Sequence, residues 1–135
     1  MAFKNCFVCE RNINDGPHLA VIVPMFKSED HIPNVMKYIG ELEEKVPGGV
    51  MATFVIDGSP ENERKILPSM LKELPFPAQV VRLSRNFGVG PALHAALGKS
   101  SGCAAVVFGS DLQEPVELFI EFADKIMADG VDVVL

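Results

Sequence analysis

The stretch Leu19-Ala-Val-Ile-Val-Pro24 is short, wholly apolar and closed by a proline. A run of this kind predicts a strand that is buried on both faces, as in a parallel sheet covered by helices. Residues 32–46 follow, and their apolar side chains recur at the spacing of one helical face. Together the two segments predict the first strand and the first helix of a βαβ unit.

The same alternation continues along the rest of the chain. Further apolar strands are predicted at residues 50–56, 79–83, 104–108 and 131–135. Helices are predicted at residues 61–74, 91–99 and 115–128. Pro68 should kink or restart the first of these, whereas Pro91 and Pro115 open the other two. This order indicates an α/β protein, Rossmann-like, with a mainly parallel sheet and helices on both faces.

The bulk composition is that of a globular domain. The 135 residues are 48% hydrophobic and 22% charged, and the net charge is −6. Because no Lys/Arg-rich run accompanies this acidic balance, nucleic acid is not predicted as a partner. No apolar run spans a bilayer and no signal peptide precedes the domain, so the cytoplasm is the default location.

The three cysteines favour a reducing compartment, and Cys6 and Cys9 are interpreted as unpaired thiols. An odd number fits a reducing compartment better than a disulfide framework. Cys6 and Cys9 make half of a zinc knuckle without a second pair, and Cys103 begins an apolar strand and is expected in the core. Residues 1–17 are read as an N-terminal extension and residues 18–135 as the domain. Because an apolar strand is predicted at its end, we interpret the domain as truncated.

Polar residues follow each of the first four predicted strands. These segments are residues 24–29, 57–59, 84–88 and 109–113. The carboxyl ends of parallel strands form the ligand-binding edge of an open α/β sheet, so the four loops should converge there. Each has a simpler interpretation, since Asp57 and Asp111 could be turn or helix-cap residues. Neither a Gly-x-Gly-x-x-Gly motif nor a P-loop follows the first strand.

The motifs of these loops carry a family likeness. Val55-Ile-Asp-Gly-Ser59, Leu83-Ser-Arg-Asn-Phe-Gly88 and Asp111-Leu-Gln-Glu-Pro115 follow Ala20-Val-Ile-Val-Pro24 in this order. The arrangement resembles the inverting family-two glycosyltransferases with the GT-A fold. It is most similar to the branch of dolichyl-phosphate-mannose synthase and bacterial polyprenyl-phosphate glycosyltransferases. The likeness runs from about His18 to the end, and it implies the nucleotide-sugar-binding half of such an enzyme.

The resemblance implies a role for each matching position. The implied nucleotide-binding residues are Pro24, Phe26, Glu29, Asp57, Arg85 and Asn86. Asp111 would be the last carboxylate of the Asp-x-Asp motif, catalytic through a divalent ion (Mg²⁺ or Mn²⁺), and Gln113 would be a further metal ligand. The reaction would be an inverting displacement that moves a sugar from a nucleoside diphosphate to an acceptor such as a polyprenyl phosphate. This chemistry belongs to cell envelope biosynthesis, at the cytoplasmic face of a membrane that is contacted through parts beyond this chain.

Three departures from the family pattern bear on activity. Ile56 replaces the first of two paired carboxylates, Gly109 replaces the first carboxylate of Asp-x-Asp, and Lys27-Ser28 replaces Asn-Glu. The lost carboxylate should weaken metal or donor binding, and we expect this length of chain alone to lack transfer activity. The alternative is a non-catalytic GT-A-like module that binds a nucleotide or a partner protein. A nucleotidyltransferase is disfavoured, because no glycine-rich basic loop follows the first strand.

Overall fold

The computed structural model describes residues 17–58 and 61–135. Four strands form one sheet: β1 (Leu19–Met25), β2 (Val50–Asp57), β3 (Ala78–Leu83) and β4 (Ala104–Val107). The order is β3-β2-β1-β4, and every neighbouring pair is parallel. The helices are a 3₁₀ turn (Glu29–His31) that leads into α1 (Ile32–Lys45), then α2 (Glu61–Leu71), α3 (Val89–Leu97) and α4 (Val116–Asp129).

The central strand β1 is buried on both faces. Leu19, Val21, Val23 and Met25 pack into the larger cluster, to which α1, α2 and α4 contribute. Ile22 points the other way and packs with residues of α3. Because side chains alternate along a strand, β1 contributes to an apolar layer on each face of the sheet. This is why residues 19–24 include no polar residue. The predicted α/β class, with helices on both faces of a parallel sheet, is confirmed.

The predicted fifth strand at residues 131–135 is wrong. Gly130 ends α4 in the left-handed conformation (φ 68°), and the Val131 N–H donates to the Lys125 carbonyl at 3.3 Å. The segment pairs with no strand of the described sheet. Val134 and Leu135 instead line an apolar cavity of about 340 Å³ beside β4 and α4. Val131, Val133 and Leu135 remain exposed, so apolarity alone predicts neither a strand nor burial.

Helix α2 also differs from its prediction. Of the two alternatives predicted for Pro68, a restart is wrong, because the helix is continuous through this residue, and α2 ends at Leu71 instead of residue 74. Hydrogen bonds from the N–H of Glu73 to Met70 and of Leu74 to Leu71 tighten the chain after the helix into turns. Pro68 has no N–H, so α2 lacks the helical hydrogen bond that this position would otherwise donate.

The cysteine interpretation is partly corrected. Cys103 is disulfide-bonded, which contradicts the expectation of a chain without disulfides. It is half-buried against the core, as expected for the approach to β4, and its Sγ lies 3.2 Å from Nδ1 of the fully buried His18. Cys6 and Cys9, with nearly all of the N-terminal extension, lie outside the described residues.

A glycine on α1 offers a simple test of the helix. An ideal Cβ on Gly40 would meet nothing within 4 Å. We expect Gly40→Ala to raise the free energy of unfolding by about 0.5–1 kcal/mol, because alanine loses less backbone entropy in a helix. Thermal denaturation should show a melting temperature higher by about 3 °C.

The matched control is Gly88→Ala. Its Cβ also meets nothing within 4 Å, but Gly88 has a φ of +93°. Alanine is strained there, so we expect a loss of about 1 kcal/mol from the same chemical change. A destabilised Gly40→Ala protein would contradict the position of Gly40 on an open face of α1.

Candidate functional site

The four loops predicted to converge do lie at one edge of the sheet. All four strands are parallel, so the chain leaves each of them at the same side. Each loop contains one described residue with a positive φ: Lys27 (53°), Gly58 (70°), Gly88 (93°) and Leu112 (54°). For the two non-glycine residues this conformation costs about 1–2 kcal/mol each. Such strain often marks functional loops.

Asp57 fastens the loop after β2 to the loop after β3. Its carboxylate is buried, with 5% of the residue exposed. Oδ1 accepts the Phe87 N–H at 2.8 Å and Oδ2 accepts the Gly88 N–H at 2.9 Å. Gly88 is the N-cap of α3, so the negative charge also lies where the helix dipole favours it. Asp57 thus sets the shape of the loop that carries Arg85 and Asn86.

Gly58 lets these two loops come together. A Cβ at this position would lie 2.2 Å from the Asn86 nitrogen and 2.4 Å from the Arg85 carbonyl carbon. No side chain fits between the two backbones, and the φ of +70° is itself one that glycine adopts freely. In this pair, Asp57 therefore accepts the hydrogen bonds from the neighbouring loop, and Gly58 leaves the room that its backbone needs.

Arg85 and Asn86 are exposed at the tip of that loop. The Arg85 Cζ lies 4.5 Å from the centroid of the Phe87 ring, a cation–π contact. The ring supports the guanidinium from one side and leaves its donor edge accessible. Arginine in this setting suits a phosphate group, whose oxygens its planar fork can bind.

A second fastening joins the loop after β1 to the loop after β4. The Ser110 hydroxyl donates to the Ser28 Oγ at 2.9 Å, and the Ser28 hydroxyl donates to the Phe26 carbonyl at 3.1 Å. Ser28 is buried although it is polar. The four loops therefore form two pairs, β2 with β3 and β1 with β4, on either side of the boundary between β1 and β2.

The β1 loop presents an aromatic ring and a cation. Phe26 is 44% exposed, and the Lys27 Nζ lies 5.2 Å from its ring centroid. Glu29 is half-buried in the 3₁₀ turn that follows. Pro24, the half-buried residue before the last position of β1, lines an open cleft of about 440 Å³ together with Gly109. The residues predicted on β1 and its loop thus lie beside the loop that carries Asp111.

Oxygen ligands for a divalent ion are few at this edge. In the part of the chain that the structure describes, no group of three or more His, Cys, Asp or Glu side chains could hold a metal. An ideal Cβ on Gly109 would lie 2.8 Å from the Asp111 Oδ1, so the carboxylate occupies the space above the glycine. Asp111 and Gln113 are both exposed. They fit a hard cation that takes its remaining oxygens from the phosphates of a donor.

Asp57 and Asp111 could each have been a turn or helix-cap residue, and their contacts test this interpretation. Helix α4 begins at Val116 with Pro115 as N-cap and has no side-chain cap. Asp111 therefore does not cap this helix. Asp57 binds two backbone N–H groups at the start of α3, the helix that follows the next strand.

Tyr38 of α1 contacts the end of the loop that carries Asp111. Its hydroxyl donates a hydrogen bond to the Glu114 carbonyl. Its ring packs against Phe108 at 5.4 Å and Phe119 at 6.2 Å between centroids. Burial, and to a lesser degree the carboxylates of Glu114, Glu117 and Glu41, together raise the pKa of Tyr38 to about 12. The phenol therefore remains a hydrogen-bond donor below pH 10.

Sequence reasoning overlooked four residues of this edge. They are Ser28, Tyr38, Phe87 and Ser110. Phe87 had a signal in the sequence, because an aromatic residue stands two positions after Arg85 in a loop between a strand and a helix. Tyr38 also had one, because it is the single tyrosine of the chain and lies on α1. The serine pair had no signal, since its members are 82 positions apart.

An open parallel sheet with these loops at its carboxyl edge defines an α/β domain with a candidate ligand-binding edge, and without a glycine-rich loop after β1 it falls outside the dehydrogenase and P-loop classes. The glycosyl transferase family 2 model matches residues 20–135. The chain belongs to this family.

Curated relatives share the sequence over most of this chain. The bactoprenol glucosyl transferase of Shigella phage SfX is 37% identical over 119 residues, which is 87% of this chain and 38% of the relative. The prophage bactoprenol glucosyl transferase homolog of Escherichia coli K12 is 36% identical over the same length and share of each chain. The chain thus spans well under half the length of these relatives.

Solved structures confirm the GT-A fold. The mannosyltransferase PcManGT from Pyrobaculum calidifontis, in complex with GDP-Man and Mn²⁺, superposes with a TM-score of 0.71 at 18% identity. The superposition covers 91% of this chain and 36% of that protein. The chain of the S. aureus TarS 1-349 structure superposes with a TM-score of 0.63 at 23% identity, over 81% of this chain and 32% of that one. Among the described helices, none has the length and apolarity needed to cross a membrane.

Proposed function

We propose that this chain is the nucleotide-sugar-binding part of a glycosyltransferase that uses a nucleoside diphosphate sugar as donor. The observation that carries the proposal is the meeting of four polar loops at the carboxyl edge of one parallel sheet. Asp57 and the Ser28–Ser110 contact fasten these loops into two pairs. Family membership and the Mn²⁺ and GDP-Man of the PcManGT structure support the same donor class.

The nucleotide would lie across the boundary between the two loop pairs. Phe26 and Phe87 are each more than 40% exposed and offer flat apolar surface for a base or sugar ring. Pro24, Glu29, Asp57 and Asn86 would complete the pocket. Arg85 would bind the diphosphate, and Lys27 would add positive charge on the opposite side. The remaining lone pairs of the Asp57 carboxylate would accept from the base or ribose.

Asp111 and Gln113 would hold a divalent ion, Mg²⁺ or Mn²⁺, together with the donor phosphates. Such an ion neutralises the negative charge that develops on the departing nucleoside diphosphate. Asp111 is catalytic in this sense, because its carboxylate orients the diphosphate for departure. The displacement would invert the configuration at the anomeric carbon.

The acceptor we propose is a polyprenyl phosphate, the class named in the bactoprenol relatives. A phosphate acceptor is already anionic near neutral pH, so the attack would not need a strong protein base. The complete protein would then work at the cytoplasmic face of a membrane in cell envelope biosynthesis. Acceptor and membrane contacts would come from parts of the protein beyond these residues.

A second candidate is a non-catalytic GT-A-like module that binds a nucleotide or a protein. Two observations favour it. Gly109 supplies no carboxylate, and the described residues hold no preformed three-ligand metal group. This module would keep the loop architecture without the metal-dependent step.

Thermal denaturation with ligands tests the proposal. We expect a nucleoside diphosphate with Mg²⁺ or Mn²⁺ to raise the melting temperature, because a ligand that binds only the folded state stabilises it. The gain is about 1.4 kcal/mol at about ten times Kd. GDP and UDP are the first probes, each with metal and with EDTA.

The matching nucleosides without phosphates are the control, and they should produce little shift. A metal-dependent shift with a diphosphate supports the transferase. If no common nucleoside diphosphate moves the melting temperature with or without metal, the protein-binding module is the better description.

A further inference from the structure

The loop that carries Asp111 and Gln113 is held to the rest of the domain by a small set of contacts. Within the loop, the Leu112 N–H donates to the Gly109 carbonyl at 3.3 Å. The Ser110 hydroxyl ties its first half to the β1 loop. The second half is tied by the Tyr38 hydroxyl, which donates to the Glu114 carbonyl.

The residue between these two ties is strained. Leu112 has a φ of 54°, a conformation that a non-glycine residue keeps only when its surroundings enforce it. Asp111 and Gln113 flank Leu112 directly, so its backbone angles set the direction of both side chains. A loop in this state needs an anchor on each side, and on the C-terminal side the anchor is the Tyr38 hydrogen bond.

The anchor itself is rigid. The Tyr38 ring belongs to an aromatic cluster in which Phe108 and Phe119 lie 5.2 Å apart between centroids. Phe108 directly precedes Gly109, and Phe119 lies in the first turns of α4. Both ends of the loop therefore rest on the same rings that fix the phenol, and the raised pKa of Tyr38 keeps its proton in place.

We infer that Tyr38 is a positioning residue, whose hydrogen bond to the Glu114 carbonyl holds the Asp111–Gln113 loop in the conformation that binds the metal-bound diphosphate of the donor. The inference rests on the proposed function. Tyr38 touches neither donor nor metal, and it acts through the backbone of the loop. It lies on the helix between β1 and β2, so the metal loop is set partly by an element remote from it in sequence.

The test compares Tyr38→Phe with the unmodified chain. Phenylalanine keeps the ring packing and removes only the hydroxyl. Isothermal titration with GDP and UDP should be run in Mg²⁺ and in EDTA. We expect the Mg²⁺-dependent gain in affinity to fall about five- to tenfold. Affinity in EDTA should be unchanged, because the Asp57–Arg85 side of the pocket does not depend on Tyr38.

The matched control is Ser100→Ala, which also removes one hydroxyl. The Ser100 hydroxyl donates to the Ala96 carbonyl at 2.7 Å and lies 2.9 Å from the Thr53 Oγ1, near the opposite end of the sheet. We expect this variant to lower the melting temperature and to leave the metal-dependent affinity unchanged. A purely structural role of Tyr38 would give the same pattern as Ser100→Ala, and that result would overturn the inference.

A second variant covers the case in which Tyr38→Phe does not fold. Tyr38 is the only tyrosine of the chain, so growth on difluorotyrosine labels this position alone. Fluorine lowers the pKa of the phenol, and the phenolate cannot donate to a carbonyl. The groups acting on this hydroxyl, the carboxylates of Glu114, Glu117 and Glu41, are the same in both proteins.

We expect the Mg²⁺-dependent affinity of the labelled protein to fall as the pH passes the phenol titration followed by fluorine NMR. The unlabelled protein should show no change over that interval. Equal pH profiles would overturn the role of Tyr38. Failure of the unmodified chain to bind any nucleoside diphosphate in Mg²⁺ would instead overturn the proposed function, and this inference with it.

Discussion

Replacing Asp111 by alanine is expected to abolish the metal-dependent part of nucleoside diphosphate binding. Gly109 contributes no carboxylate, so Asp111 is the remaining charged group of its motif and Gln113 offers only an amide oxygen. Removing a carboxylate that contacts a divalent ion costs about 3 kcal/mol, or about a hundredfold in affinity. Calorimetric titration of the nucleotide in Mg²⁺ and in EDTA measures this part directly.

Asp124→Ala is the matched control for this experiment. Asp124 is exposed on α4, away from the metal loop in sequence, and the substitution makes the same change in net charge. We expect its metal-dependent affinity to equal that of the unmodified chain. Should Asp111→Ala retain the same metal dependence as Asp124→Ala, Asp111 would not belong to the site.

The second large effect is expected from Gly58→Ala. The new Cβ would lie 2.2 Å from the Asn86 nitrogen, so the backbone of the β3 loop must move. The positive φ adds strain of its own, and together the two terms should lower the free energy of unfolding by about 2–4 kcal/mol. Displacing Asn86 also breaks the geometry of the Asp57 hydrogen bonds, so nucleotide binding should weaken both with and without metal. Chemical denaturation and the same titrations give the two readouts.

Gly88→Ala separates the causes of that effect. It carries the strain of a positive φ without any close contact, so the excess loss in Gly58→Ala measures the collision with the loop. If the two variants lose equal stability, the loops after β2 and β3 are not packed as closely as described. Retained nucleotide affinity in Gly58→Ala would show that the position of Arg85 and Asn86 does not matter for binding.

These variants also distinguish the two candidate functions. A transferase requires the metal-dependent component, which Asp111→Ala removes and Gly58→Ala reduces. A non-catalytic nucleotide-binding module should lose affinity in Gly58→Ala and remain unaffected by Asp111→Ala. A protein-binding module should show no change in nucleotide affinity in either variant, because it would not bind a nucleotide.

The class of fold followed from local sequence because its signals are local. Runs such as residues 19–24 are apolar at every position only when both faces of a strand are covered. The position of the carboxyl-edge loops could also be predicted, because parallel strands have their carboxyl ends at the same edge of the sheet irrespective of the side chains. The likeness to family-two glycosyltransferases added implied roles to those loops, and these roles remain predictions for the individual residues.

Other features had no local signal. Apolarity at residues 131–135 indicated a strand, but a strand also needs a partner to pair with, and this segment pairs with no strand of the described sheet. The disulfide bond of Cys103 depends on a second sulfur brought close by folding. Spacing along the chain predicts neither the strand pairing of residues 131–135 nor the disulfide bond of Cys103.

Sequence patterns were sufficient to predict a parallel α/β sheet with acidic, basic and amide side chains at one edge. The contacts that hold this edge together became evident only from the folded chain. Asp57 binds backbone N–H groups 30 and 31 positions away, Ser110 bonds Ser28 at a separation of 82, and Tyr38 bonds the Glu114 carbonyl at 76. The physical reason is that periodicity specifies which face a residue occupies, whereas a hydrogen bond requires distant residues to lie within about 3 Å.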